Sequence, residues 1–138
     1  MKLFCEFSLY VVVTVLGAGM GSAGEEKYFD CTVYSDRKDL PTKNVACTQE
    51  FVGDKFYCKS WECPTPECPE EKQVSSSEGS CPVCPDTCLS GDKVIKVGEY
   101  DTCFDGVNRC GCLTTGRGFT TLMATNKFVL CGAPPPSN

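Results

Sequence analysis

Gly79–Cys88 reads "GSCPVCPDTC", with three cysteines inside eight positions and prolines between them. Sulfur at that density serves one of three ends: thiolates for a metal, a thiol–disulfide exchange pair, or cross-links for a chain that cannot fold without them. The compartment decides among these. The chain opens "MKLFCEFSLYVVVTVLGAGMGSAGEE", with basic Lys2, an apolar run over Leu9–Leu16, and small residues up to Ala23 and Gly24. That order is the pattern of a secretory signal peptide, and residues 1–23 are predicted to be one, cut after Ala23. A spanning helix needs about 20 mostly apolar residues. Glu6 and the flanking glycines leave this run shorter, so the expectation is a secreted, extracellular protein with no membrane span.

Taking residues 1–23 from 138 leaves 115, and Cys5 leaves with them, so thirteen cysteines become twelve. An even count in a secreted chain implies a disulfide framework. All of Cys31, Cys47, Cys58, Cys63, Cys68, Cys81, Cys84, Cys88, Cys103, Cys110, Cys112 and Cys131 are expected to take part. Twelve cysteines allow about 10,000 pairings, which spacing does not resolve. Residues 24–138 hold only 21 Leu, Ile, Val and Phe, roughly 18%, which is too few for an ordinary core. Each bridge removes unfolded-state entropy worth about 2–4 kcal/mol, so the bridges take over the work of the missing apolar volume.

The competing uses of sulfur fit less well. Cys81-Pro82-Val83-Cys84 has the CxxC form of thiol oxidoreductases, but that motif belongs beside a βαβ pattern, and no helical period surrounds it. The clusters Cys58/Cys63/Cys68 and Cys81/Cys84/Cys88 have the look of zinc thiolates, yet secretion favours oxidation. No metal and no cofactor are expected. The chain has no histidine, which removes the commonest general base, and its adjacent carboxylates, Glu25-Glu26 and Glu70-Glu71, read as solvated loop charges. An enzyme is not expected. Net charge is −5 with Lys and Arg scattered, so neither nucleic acid nor an anionic membrane is an expected partner.

Short apolar runs fenced by turn residues place the chain in a small all-β, disulfide-rich class of short hairpins and loops. "EFVGDKFYC" predicts a hairpin about Gly53-Asp54, and "KVIKV" (Lys93–Val97) a strand. "GFTTLMA" (Gly118–Ala124) and "KFVLC" (Lys127–Cys131) predict two more strands with Thr125-Asn126 as the turn. "EEKQVSSSEGS" reads as a flexible polar loop. The cysteines divide into seven over Cys31–Cys84 and five over Cys88–Cys131. Both counts are odd, so a closed framework needs at least one bridge across the boundary. The expected organisation is therefore two coupled subdomains, 24–84 and 85–131, followed by a flexible Pro-rich tail, 132–138.

The stretch "FVGDKFYCKSWECPTPECPEEKQVSSSEGSCPVCPDTC" resembles the second half of a von Willebrand factor type C domain, with Ser80 where that pattern has a cysteine. "GDKVIKVGEYDTCFDGVNRCGCLTTGRGF" resembles the first half of the same domain, and also pacifastin-type serine protease inhibitors. Both families share an Asp-Gly-Cys-Asn-x-Cys-x-Cys core, which here reads Asp105-Gly106-Val107-Asn108-Arg109-Cys110-Gly111-Cys112. Val107 stands in place of a cysteine, Cys103 is a displaced candidate, and Thr120 and Thr125 fall where the next two cysteines belong. The resemblance implies an extracellular binding module whose partner is a growth factor, a matrix protein or a serine protease.

Four residues outside the cystine framework are candidates for binding. Trp61 suits an interface anchor, although filling a small core beside a disulfide is the favoured reading of a lone Trp in a chain with so little core. Within "TTGRGFTTLMATNK" (Thr114–Lys127), Leu122 and Met123 suit a chymotrypsin-like pocket and Arg117 a trypsin-like one, provided the loop is exposed and rigid. A plain hairpin is the competing reading of that segment. Asp101, Asp105 and Asn108 lack the alternation and terminal Glu of a calcium loop and read as a turn. The expected function is a secreted protein-binding module of matrix or growth-factor-binding type. The alternatives are a serine protease inhibitor working through Arg117–Met123, and a venom or defence effector. The intact mass of the secreted protein should show no free thiol; two or more alkylatable thiols would break the six-bridge framework.

Overall fold

A computed structural model describes residues 26–76 and 81–137. The expected signal peptide and the Ser80 position lie outside the described residues. Among the described residues there are eleven strands and one short α-helix: β1 (Glu26–Tyr28), β2 (Cys31–Tyr34), β3 (Val45–Gln49), β4 (Phe56–Ser60), β5 (Val74–Ser75), β6 (Pro82–Val83), β7 (Thr87–Ser90), β8 (Lys93–Lys96), β9 (Tyr100–Thr102), β10 (Arg109–Thr114), β11 (Arg117–Thr120) and α1 (Lys127–Cys131). The strands form four antiparallel sheets, ordered β1-β2-β4-β3, β11-β10-β9, β5-β6 and β7-β8. The fold is small, all-β in its sheets and disulfide-rich.

The twelve cysteines form six bridges: Cys31–Cys131, Cys47–Cys58, Cys63–Cys81, Cys68–Cys84, Cys88–Cys112 and Cys103–Cys110. Cys81 and Cys84 are therefore not bonded to each other, and the CxxC spacing serves two separate links. The crossing bridge that parity demands is Cys31–Cys131, which closes 100 residues of chain.

β3 and β4 form the hairpin expected around Gly53-Asp54, in register from Val45↔Ser60 to Gln49↔Phe56, with Gly53 at φ 137°. β7 and β8 form a second one around Gly91-Asp92, where Gly91 holds φ 64° at the first turn position. A side chain at Gly91 is also excluded by packing, because a Cβ there would lie 2.4 Å from the Phe104 ring. Phe104 in turn stacks against Trp61 at 4.8 Å between centroids. Trp61 is half-buried in this pair, which joins the two parts of the chain, with Lys59 Nζ over the Phe104 ring at 5.3 Å.

Two sequence expectations are corrected here. "KFVLC" is a helical turn and not a strand. Asn126 caps it, accepting hydrogen bonds from the Phe128 and Val129 N–H groups at 3.0 and 3.1 Å. Gly132 ends it in the left-handed region at φ 68°. Asn before and Gly after the run are the helix punctuation that its apolar content masked. The helix places Leu130 and Cys131 against Cys31, Val33 and Tyr57 as the core of the first sheet. A strand would have turned one of those adjacent residues to solvent. "GFTTLMA" is likewise strand only as far as Thr120, so the predicted hairpin with "KFVLC" does not form. The polar stretch from Glu70 is also more ordered than expected: it carries a 3-10 turn at Glu70–Lys72 and then β5.

Replacing the crossing bridge (C31A/C131A) should lower stability by about 4–5 kcal/mol, the chain-entropy value for a 100-residue loop. The check is the urea midpoint, and an unchanged midpoint would mean that packing alone holds α1.

Candidate functional site

The segment Thr114–Lys127 divides into parts with different exposure. Arg117 lies on β11, exposed, with its backbone opposite Thr114 in the ladder. It is held in a sheet and is not presented by a loop. After Thr120 the chain leaves the sheet and runs as an irregular, exposed segment, Thr121–Asn126, into α1. Leu122 is 95% exposed and Met123 63% exposed. The structure therefore brings Leu122 and Met123 together on one loop and separates Arg117 from them. Trp61 belongs to the aromatic pair described above.

Beneath the loop lies Asn108, only 5% exposed. Its amide Oδ1 accepts from the Met123 N–H at 2.6 Å and from the Thr121 hydroxyl at 2.8 Å. Its Nδ2 donates to the Met123 carbonyl at 2.9 Å and to the Asp105 carboxylate. An amide offers two donors and one two-pair acceptor, and every one of these is used. The backbone ladder of β10 and β11 stops, and a side chain continues it: one amide grips both polar groups of Met123, and through Thr121 it holds the residue on the other side of Leu122. Thr121 is fixed again by its N–H to the Arg109 carbonyl (3.0 Å) and by its hydroxyl accepting from the Arg109 N–H (2.9 Å).

The far end of the loop is anchored from both parts of the chain. The Thr125 hydroxyl donates to the Asp105 carbonyl at 3.0 Å, and the Thr125 carbonyl accepts from the Thr48 hydroxyl of β3 at 2.9 Å. Lys127 pairs with Glu50 in the hairpin loop beyond β3. At the near end the Thr120 hydroxyl lies 3.3 Å from Cys103 Sγ. Thr120 and Thr125 thus carry hydroxyls that sit against the bridge of the 103–110 turn or hydrogen-bond to it. That turn is itself closed by Cys103–Cys110.

Sequence reading recognised Asp105 and Asn108 as a turn but missed what Asn108 does, since its partners lie 13 and 15 residues downstream. The pattern that carries the signal is Asp-x-x-Asn immediately before a β-strand, followed by an exposed Leu-Met pair.

Asp105 is half-buried. Burial raises its pKa, but hydrogen bonds from the Asn108 side chain and from the Asn108 and Val107 N–H groups outweigh that, and its carboxyl falls below the ordinary 3.8. Among the described residues no group of three or more His, Cys, Asp or Glu is placed to hold a metal ion, and no helix is long and apolar enough to cross a membrane. No protein-family model matches the chain, and no curated protein or solved structure matches it either.

A group whose pKa is lowered by folding contributes stability above its unfolded value and loses it as pH falls through the folded one. The hold of Asp105 on Asn108 should therefore be complete above about pH 5 and be lost only below the ordinary carboxylate range. A titration of the Asn108 side-chain amide shift should have its midpoint below 3.8; a midpoint above that value would contradict the hydrogen-bonded carboxylate.

Proposed function

We propose that the chain is an extracellular protein-binding module whose partner is a serine protease with an apolar primary pocket. Leu122 enters that pocket, and the Leu122–Met123 bond lies across the catalytic serine. The observation that carries this reading is Asn108, a buried amide bonded on both sides of an almost fully exposed leucine.

Two physical consequences make such a loop an inhibitor more than a substrate. Its backbone is ordered before binding, so association loses little conformational entropy, while burying Leu122 returns about 1.5–3 kcal/mol. If the protease cuts between Leu122 and Met123, the new ends stay in place. Thr121 remains tied to Arg109 and Asn108, and Met123 and Thr125 remain tied to Asn108, Asp105 and Thr48. The new amine and acyl group cannot separate, product release is slow, and religation competes with hydrolysis.

A second reading, a module that docks on a matrix protein or growth factor, is favoured by the β3–β4 hairpin loop, where Phe51 and Val52 stand exposed. It needs no loop chemistry and leaves proteases unaffected.

The oxidised protein should inhibit chymotrypsin stoichiometrically, with slow cleavage confined to Leu122–Met123, and should leave trypsin active. L122D should weaken inhibition more than about 30-fold, as expected of an interface anchor, and L122R should move inhibition to trypsin. A protein that is inert towards chymotrypsin, elastase and subtilisin, or is cut first elsewhere, overturns the reading in favour of the docking module.

A further inference from the structure

The geometry points to Asp105 as the positioning residue of the loop, the group that sets which way the Asn108 amide faces; the inference rests on the inhibitor reading above. Three of the four hydrogen bonds to that amide come from the segment it is meant to hold: the Thr121 hydroxyl and the N–H and C=O of Met123. Only the bond to Asp105 comes from the amide's own turn. The Asp105 carboxylate is in turn secured locally, its Oδ1 accepting from the N–H groups of Val107 and Asn108, each at 2.9 Å. Cys103–Cys110 closes this turn independently of the loop.

An ionised carboxylate only accepts, so it demands the Nδ2 end of Asn108. A flipped amide would set Oδ1 against the Asp105 oxygen and Nδ2 against the Met123 N–H, pairing acceptor with acceptor and donor with donor. Asp105 thus orients the amide whether or not the loop is docked. That matters most after cleavage, when Met123 is no longer joined to Leu122 and only a correctly facing amide keeps it in place. The Asp105 carbonyl adds a second hold by accepting from Thr125 on the far side of the scissile bond.

D105N is the test, because Asn at 105 keeps an acceptor for the Val107 and Asn108 N–H groups and its free NH2 then faces the Asn108 NH2. Amide hydrogen exchange at Met123 should become about tenfold faster or more, as expected from losing a hydrogen bond to a charged group. The β10 amides of Cys110 and Cys112 should keep their protection, which a general loss of structure would not allow. In parallel, chymotrypsin should cut Leu122–Met123 about tenfold faster in D105N than in the native protein. Met123 exchange within twofold of the native rate overturns the proposal. If D105N fails to form six bridges, the native protein decides: a scalar coupling across the hydrogen bond from Asn108 Nδ2 to the Asp105 carboxyl carbon supports the assignment, and its absence overturns it. A native protein that inhibits no serine protease removes the inhibitor reading alone, and the exchange measurement still decides the role of Asp105.

Discussion

Cys31–Cys131 is the link on which the remaining order of the chain depends. α1 is five residues long, too short to persist in water by its own hydrogen bonds. It exists because Cys131 is bonded into the first sheet and Leu130 is buried beside it, while the Asp30 N–H donates to the Cys131 carbonyl at 3.1 Å. Once α1 is fixed, Asn126 and Thr125 are fixed with it, and so is the downstream end of the exposed loop. A covalent constraint at one edge of the molecule is in this way transmitted to Leu122, nine residues upstream.

The interior as a whole is built on the same economy. In the cluster of Cys88, Ile95, Cys103, Cys110 and Cys112, four of the five buried residues are half-cystines. Sulfur supplies connectivity and volume together, which a chain with so little Leu, Ile, Val and Phe needs. What cystines do not supply is directional order at a surface. That comes from the polar cluster around Asn108, whose amide has no unused donor or acceptor. A fully satisfied buried network specifies one geometry, because any displacement leaves a polar group unpaired.

Full pairing of the twelve cysteines, though not which pairs with which, the β class and the β3–β4 hairpin were legible in the sequence because each rests on local or compositional signals: an even cysteine count, low apolar content, and Gly53-Asp54 between apolar pairs. Two elements were hidden by tertiary context. α1 was masked because the four apolar residues after Lys127 fit a strand or a helix equally well, and the caps at Asn126 and Gly132 decide for the helix only together with burial of Leu130 and Cys131 against the first sheet. The role of Asn108 was masked because a turn residue and a buried clamp look alike until the chain returns thirteen residues later. Arg117 was grouped with Leu122 and Met123 on sequence proximity alone, but the β10–β11 ladder takes Arg117 and ends before the other two.

The position of the loop follows from how the two parts of the chain meet. Thr48 of β3 and Asp105 of the cystine-closed turn hold opposite polar groups of the same residue, Thr125. The loop is therefore rigid only while the two parts keep their relative placement, which Cys31–Cys131 and the Trp61–Phe104 stack maintain. A loop tethered within one part alone would keep its shape when the other part moved. This one would not, so the coupling of the halves and the stiffness of the exposed loop are a single property. The Thr120 hydroxyl lies against Cys103 and the Thr125 hydroxyl donates into the turn closed by Cys103–Cys110, and the second of these contacts depends on the crossing bridge having brought the far anchor into reach.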